Sequence, residues 1–191
     1  MYLLDVSVYD PGMLIFLDET GTDQRGAVRR FGYSLRGNPL QKESFLVRGK
    51  RMSAIAMISI NGLLDVSIQD GTNSGESFYS FAEKFLLPQL QQFNGINQHS
   101  VVVMDNCSIH HVPEVIRMIE EVGAIIQFVP PYSPDFNPIE MTFSKVKYAL
   151  KEMEDSMADS DLETLMLTAF ASVTPQDCQG WIKHSLNCTE C

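Results

Sequence analysis

Residues 100–129 read SVVVMDNCSIHHVPEVIRMIEEVGAIIQFV, two apolar runs with an amphipathic segment between them. The runs Ser100–Asp105 and Ala124–Val129 have the length and branched side chains of buried strands. Between them, Pro113 suits the first turn of a helix and Gly123 suits its end. The apolar stripe of that helix consists of Val112, Val115, Ile116, Ile119 and Val122. This succession of strand, helix and strand predicts an α/β domain.

The chain before this unit is rich in strand patterns. The short apolar run Met13–Asp18 stops in acid, which predicts a buried strand that ends at Asp18. Met52–Ile60 and Leu63–Gln69 flank Asn61-Gly62, a dipeptide typical of two-residue hairpin turns. Two further strand candidates are residues 27–36 and 44–48.

Helical periodicity dominates the remaining segments. Glu76–Leu87 has apolar residues at helical spacing, and Pro88 is expected to break or kink that helix. After the proline-rich residues 130–138, an apolar stripe predicts a helix from Ile139 to Met153, and Leu162–Phe170 is predicted to be the last helix. Antiparallel strands followed by alternating helices and strands imply a mixed sheet flanked by helices.

Composition excludes several classes of protein. The chain has 191 residues, 45% of them hydrophobic and 20% charged, which fits one folded domain and not a disordered chain. The apolar stretch Met52–Leu64 is well short of the ~18–20 residues of a membrane helix. Asp5 and Asp10 interrupt the N-terminal segment, so no secretion signal is predicted. Four cysteines do not form a disulfide framework, and we expect a soluble, intracellular protein without membrane contact.

Charge is distributed unevenly along the chain. A formal net charge of -10 by itself argues against binding a polyanion. However, most of the basic residues lie between positions 25 and 51, where they offer a local phosphate contact or simply form a solvated hairpin. They are Arg25, Arg29, Arg30, Arg36, Lys42, Arg48, Lys50 and Arg51.

Three carboxylates occupy positions that a folded sheet can bring together. Asp18 and Asp105 each end an apolar strand, and Glu140 lies in the first turn of the helix after the proline-rich loop, where it is expected to face the sheet edge rather than solvent. In open α/β sheets, sites form at the carboxyl ends of the strands. Converging carboxylates repel one another unless a hard cation such as Mg²⁺ or Mn²⁺ binds between them. Taken singly, each of the three can equally be a turn, cap or helix-dipole residue.

Three longer segments around these carboxylates resemble a known family. LDET around Asp18, VVVMDNCSIHH around Asp105 and VPPYSPDFNPIEMTFSKVK around Glu140 resemble the signature segments of DDE transposases of the mariner superfamily, in particular its insertion-sequence-like branch. The resemblance extends from Met13 to Lys151, with a weaker continuation through DCQGWIKH. The separation of Asp105 and Glu140 is the one that such enzymes typically show.

The resemblance implies a fold and an activity. The fold would be RNase H-like, with a five-stranded mixed sheet whose first three strands are antiparallel and with helices on both faces. Asp18 on the first strand, Asp105 at the fourth and Glu140 on the following helix would be the catalytic residues, and they would hold two Mg²⁺ or Mn²⁺ ions. The implied reaction is phosphodiester hydrolysis followed by strand transfer into target DNA. The implied partners are DNA and a second copy in the transposition complex, with a nuclear location in a eukaryote.

Other residues near the motifs have two interpretations each. Asn106 and His110 match family positions, so both could support the metal ligands or face DNA. Equally, Asn106 could cap a helix and His110 could be a surface histidine. Glu19 should point to the other side of its strand and be structural. The proline-rich loop is a rigid connector, or it presents Tyr132 and Ser133 to DNA.

The DNA contacts are predicted from basic residues. The segment 25–51, placed on the second and third strands, and the helix that carries Glu140 are the candidates, with Lys151 as a further possibility on that helix. The predicted contacts are Arg29, Arg30, Arg36, Lys145 and Lys147. A zinc site formed by the C-terminal cysteines and a histidine is disfavoured, because a single CxxC without a second pair is weak, and ordinary thiols are preferred. Its residues would be Cys178, His184, Cys188 and Cys191.

The domain organisation is predicted from the resemblance as well. Residues 1–191 would form a single catalytic domain, with a core over 13–153 and a helical tail over 154–191. Related full-length proteins carry helix-turn-helix modules before this core, which are expected to be absent here, so DNA binding should be weak, salt-sensitive and largely independent of sequence. The alternatives are an inactive domesticated domain that binds DNA or protein, and an RNase H-like nuclease acting on RNA hybrids.

Overall fold

The structure is a computed structural model that describes residues 6, 8–23, 36, 51–130, 136–153 and 161–187. Its centre is a five-stranded sheet in the order β3-β2-β1-β4-β5. β1 is antiparallel to β2 and β2 to β3, whereas β4 is parallel to both β1 and β5. The strands are β1 Leu14–Asp23, β2 Arg51–Ser59, β3 Gly62–Asp70, β4 Val101–Met104 and β5 Ile125–Phe128. The predicted mixed sheet, with three antiparallel strands first, is therefore confirmed.

One prediction about the strands is corrected. β1 does not end at Asp18 but continues to Asp23, because β2 pairs with it as far as Asp23 opposite Arg51. β2 and β3 form the hairpin closed by the Asn61-Gly62 turn, and β2 begins at Arg51, the last residue of the basic segment 25–51. The rest of that segment lies outside the described residues, except Arg36. The strand candidates at 27–36 and 44–48 lie outside the described residues, apart from Arg36 in a turn.

The helices follow the predicted order, with one addition. α1 begins at Gly75 and continues beyond Phe81 through a π-helical turn and a 3₁₀ turn that contains Pro88. The helices are α1 Gly75–Phe81, α2 Pro113–Val122, α3 Ile139–Glu152, α4 Leu162–Ala171 and α5 Pro175–Asn187. Leu162–Phe170 was expected to be the last helix, which is wrong because α5 follows it. Cys178 and Ile182 of α5 are buried, and Trp181 and Leu186 pack on the same core as half-buried residues, so α5 contributes an apolar face at helical spacing.

The sheet separates two hydrophobic layers. Side chains alternate along a strand, so Leu14 and Phe16 face one layer and Ile15 and Leu17 face the other. The first layer contains α3, α4 and α5, with Phe143 and Phe170 in edge-to-face contact at 6.5 Å. The second contains α1 and α2. Helices thus cover both faces, as expected. Within the described part of the chain, no helix is both long and apolar enough to cross a membrane.

Candidate catalytic metal site

The parallel pairing of β1 and β4 places two of the predicted aspartates side by side. Leu17 is the register partner of Met104, and the next residue on each strand is Asp18 and Asp105. One carboxylate oxygen from each aspartate and one ring nitrogen of His110 all lie within 4.8 Å of one another. Two of the three predicted acidic residues therefore converge at the carboxyl edge of the sheet.

Asp18 is a buried carboxylate with few compensating contacts. It is 7% exposed. Its Oδ1 accepts a hydrogen bond from the Glu19 N–H at 2.7 Å, and its Oδ2 accepts one from the Asn137 side-chain amide at 3.2 Å. Burial raises the pKa of Asp18 to about 8; the Glu19 N–H opposes this, and the negative charges of Asp105 and Glu19 add to it. The nearby charge of His110 lowers the pKa of Asp18, but it does not offset the effect of burial.

Asp105 lies in a more favourable environment for its charge. Its side chain is 43% exposed, and Oδ1 lies 2.6 Å from His110 Nδ1. The Cys107 N–H donates to the same oxygen at 3.1 Å. The hydrogen bond from His110 lowers the pKa of Asp105 to about 2, although partial burial acts in the opposite direction. Asp105 is therefore ionised whenever the protein is near neutral pH.

His110 is buried between two carboxylates, so the prediction of a surface histidine was wrong. Its side chain is 0% exposed and packs on Phe78 of α1, with ring centroids 4.9 Å apart. Its Nε2 lies 3.1 Å from Glu19 Oε1 as an ion pair without hydrogen-bond alignment. Burial alone lowers the pKa of His110, but the contacts with Asp105 and Glu19 outweigh it and raise the pKa to about 10. Glu19 does face away from Asp18, as expected.

Glu140 lies in the first turn of α3, three residues after Asn137. It is exposed, so the expectation that it faces the sheet edge rather than solvent was wrong, and it does not belong to the group formed by Asp18, Asp105 and His110. Its N–H donates to the Asn137 carbonyl at 3.1 Å. Because Asn137 also contacts Asp18, the start of α3 is fastened to β1 at this edge of the sheet.

The donor set fits hard divalent cations. Among the described residues, no Lys or Arg forms an ion pair with Asp18 or Asp105. A buried carboxylate with a raised pKa gains stability when a cation approaches, and carboxylate oxygens are the donors that Mg²⁺ and Mn²⁺ prefer. His110 Nδ1 faces Asp105, so the available donors are oxygens. Asp18, Asp105 and Glu140 could hold such ions.

The predicted DNA contacts have different surroundings. Lys145 is not free, because its Nζ lies 2.5 Å from Asp177 Oδ2 and joins α3 to α5. Lys147 and Lys151 are exposed on α3, and Arg36 is exposed in a turn. The remaining predicted contacts, Arg29, Arg30, Tyr132 and Ser133, lie outside the described residues.

Two further predicted features can be placed in part. Asn106 is exposed, and its Oδ1 lies 2.6 Å from His111 Nε2 instead of capping a helix. Of the disfavoured zinc cluster, Cys178 is buried and His184 is exposed, whereas Cys188 and Cys191 lie outside the described residues. The side-chain groups that could hold a metal within the described ranges all include His110.

One residue of the site was missed from the sequence. Asn137 is 3% exposed and is the only described side chain that donates a hydrogen bond to Asp18. In the sequence it stands before Pro138, where an Asn is typical of loops. The sequence offered one indication of its role, because Asn137 lies three residues before Glu140, at the start of the predicted helix.

A five-stranded mixed sheet in this order, with one aspartate on β1 beside another directly after the parallel strand β4, is the arrangement of an RNase H-like domain. The family model of the DDE superfamily endonucleases matches residues 13–163. The chain belongs to this family. No curated protein matches the chain in sequence.

Solved structures confirm the fold. The Mos1 strand transfer complex aligns with a TM-score of 0.75 at 16% identity, over 98% of this chain and 56% of that chain. The Mos1 mariner paired end complex with Mn has a TM-score of 0.65 at 16% identity, over 98% of this chain and 57% of that one. The Mos1 catalytic domain with raltegravir and Mg has a TM-score of 0.65 at 15% identity, and the alignment covers 99% of this chain and 86% of that one. The chain thus spans little more than half the length of the Mos1 chain in the first two complexes.

Proposed function

We propose that this chain is the catalytic core of a DDE transposase that hydrolyses phosphodiester bonds and transfers DNA strands, with two Mg²⁺ or Mn²⁺ ions. The observation that carries the proposal is the convergence of Asp18 and Asp105 on neighbouring parallel strands in a domain of the DDE endonuclease family. The predicted third member, Glu140, lies beside Asn137, which contacts Asp18.

The three carboxylates would divide the ligand positions between them. When bound, two divalent cations would activate a water and stabilise the charge that develops on the attacking and leaving oxygens. Asp18 is the best candidate for a shared ligand, because it is the most buried of the three and, among the described residues, no Lys or Arg pairs with it. Asp105 and Glu140 would each serve one ion. The freed 3′-hydroxyl would then attack target DNA at the same site.

The proposed substrate and partner are DNA and a second copy of the chain. The Mos1 neighbours are strand transfer and paired end complexes, and 98% of this chain aligns with each of them. Exposed Lys147, on the same helix as Glu140, is a candidate phosphate contact. An enzyme acting on chromosomal DNA would lie in the nucleus of a eukaryotic host.

A nicking assay tests the proposal. Supercoiled plasmid is incubated with the protein and Mn²⁺, and the wild type is compared with Asp105→Asn and Glu140→Gln. The control is Glu114→Gln, which removes another exposed glutamate in the first turn of a helix. We expect nicking by the wild type and the control, and at least a hundredfold loss in the two site variants. Equal activity in all four proteins would refute the assignment of the site.

A second candidate function is that of an inactive domain that binds DNA or protein. The net charge of -10 favours the protein-binding form of this candidate, because a strongly acidic protein is poorly suited to hold DNA. The same assay separates the two functions. Absence of Mn²⁺-dependent nicking in every variant, with retained folding, would favour the binding domain.

A further inference from the structure

We propose that His110 is a positioning residue that fixes the carboxylate of Asp105 for metal binding. The inference rests on the proposed function, because it concerns how one member of the metal site is held. His110 does not touch the substrate or the metal in this proposal. It acts through Asp105, and Glu19 holds the opposite side of its ring.

The contacts at Asp105 separate its two oxygens. His110 Nδ1 lies 2.6 Å from Oδ1 and also 3.1 Å from the backbone carbonyl oxygen of Asp105, and the Cys107 N–H donates to Oδ1 at 3.1 Å. Within the described part of the chain, Oδ2 accepts no hydrogen bond. The carboxylate is therefore anchored through one oxygen and offers the other to a cation.

The imidazole itself is held on three sides. Nδ1 faces Asp105, Nε2 lies 3.1 Å from Glu19 Oε1, and the ring packs on Phe78 at a centroid distance of 4.9 Å. A ring that is 0% exposed and contacted at both nitrogens has little freedom to turn. Its direction is thus set before any cation arrives, which is what a group that orients a ligand requires.

The alternation of β1 explains how one strand supplies both parts of this arrangement. Asp18 and Glu19 are consecutive, so their side chains point to opposite faces of the sheet. Asp18 contributes its carboxylate to the site, and Glu19 contributes its own to the histidine that orients Asp105. Asp18 therefore belongs to the metal site itself, and Glu19 acts on that site through His110 and Asp105.

A pair of amide substitutions distinguishes positioning from packing. The side-chain NH₂ of Asn reaches the place of a histidine Nδ1, whereas that of Gln reaches the place of Nε2. His110→Asn keeps a donor for Asp105 and loses the contact with Glu19, and His110→Gln does the reverse. Both variants lose the ring that packs on Phe78. If His110 serves only to fill space, the two variants should behave alike.

The experiment measures Mn²⁺ binding and DNA nicking in the same proteins. Free Mn²⁺ is followed by electron paramagnetic resonance, and folding is checked by thermal unfolding in EDTA. We expect His110→Gln to weaken Mn²⁺ binding and nicking by about 10–100-fold, and His110→Asn to stay within about threefold of the wild type. Equal losses in the two variants would overturn the inference.

The outcome for the histidine is separable from that for the enzyme. If Mn²⁺ affinity differs between the variants as expected but no protein nicks DNA, the positioning role holds and the proposed function fails. If the wild type nicks DNA but the two variants have equal Mn²⁺ affinity, the proposed function holds and the positioning role fails.

The wild-type protein allows a second test without any variant. The Nδ1–H resonance of His110 should be protected from solvent exchange and should shift on Mg²⁺ titration. Rapid exchange of that proton would also overturn the inference.

Discussion

The side-chain amide of Asn137 donates a hydrogen bond to Asp18 Oδ2 over 3.2 Å, across 119 positions of the chain. Asn137 lies immediately before α3, and its carbonyl accepts the N–H of Glu140. A single buried residue thus joins the strand that carries the first acidic residue to the helix that carries the third. The position of Glu140 relative to the two aspartates depends on this contact.

Replacing Asn137 should disturb both stability and the site. Asn137→Ala removes a buried donor from Asp18, and we expect it to lower the free energy of unfolding by about 1–3 kcal/mol in EDTA. Asn137→Asp should be more damaging, because it places a second carboxyl against Asp18. Urea unfolding monitored by circular dichroism measures both. An Asn137→Asp variant as stable as the wild type would show that the contact is unimportant.

Asp18→Asn should stabilise the metal-free protein. Burial raises the pKa of Asp18 to about 8, so the folded protein holds a proton that the unfolded chain releases above about pH 4. This carboxyl therefore lowers wild-type stability as the pH rises from about 4 to 8, and the amide removes that effect. The gain from Asp18→Asn in EDTA should be larger at pH 8 than at pH 5, as measured by urea unfolding.

Asp105→Asn is the matched comparison, with the opposite sign. The hydrogen bond from His110 lowers the pKa of Asp105 to about 2, so its ionised form stabilises the fold above about pH 4 and this contribution is lost as the pH falls toward 2. Asp105→Asn should therefore destabilise the metal-free protein at pH 7. Two aspartate variants that shift stability in the same direction would contradict the described surroundings of the pair.

The lysines of α3 should differ in their effect on DNA binding. Lys147 is exposed, and seven residues along a helix return it to the side of Glu140, whereas Lys145 is paired with Asp177. Lys147→Ala should weaken binding of a DNA duplex two- to fivefold and reduce the salt slope by about 1. Lys145→Ala should leave the slope unchanged. Fluorescence anisotropy at several salt concentrations measures both, and equal slopes for the two variants would contradict the prediction.

Asp177 should contribute to stability in a pH-dependent way. It accepts hydrogen bonds from Lys145 and from the backbone and hydroxyl of Thr174 at the start of α5, which lower its pKa to about 2. Its stabilising effect is present above the unfolded pKa of about 4 and is lost as the pH falls toward 2. Asp177→Asn should lower the free energy of unfolding at pH 7 and have a smaller effect at pH 3.

The control for that prediction is Asp161→Asn. Asp161 precedes α4 as its N-cap residue but makes no side-chain capping hydrogen bond. Its substitution should change the free energy of unfolding by much less than that of Asp177 at pH 7. Equal effects would mean that the contacts of Asp177 with Lys145 and Thr174 contribute little.

The strand pattern and the convergence of the aspartates were predictable from the sequence. Apolar runs ending in Asp18 and Asp105, with a helix-compatible connection, indicate adjacent parallel strands whose ends meet. The Asn61-Gly62 turn likewise predicted the hairpin of β2 and β3 correctly. These features are local, because a strand or a tight turn is specified by the residues that form it.

The remaining features depend on contacts between distant segments. The burial of His110 requires Phe78 and Glu19 from two other elements, and the ion pair of Lys145 requires Asp177 from a helix more than twenty positions further along the chain. The length of β1 depends on its partner β2, which pairs with it beyond Asp18. No local pattern records such partners, so these residues were interpreted as surface groups or as chain breaks.

The location of Asp18 on β1 has a consequence for how activity would be lost. β1 pairs with β2 through Asp18 and with β4 as far as Leu17, so the backbone at Asp18 opens only when the central sheet comes apart. The start of α3 is tied to the same strand, because Asn137 is buried and contacts Asp18, and Ile139 is buried beside Glu140. Loss of activity on warming would therefore coincide with melting of the sheet rather than precede it.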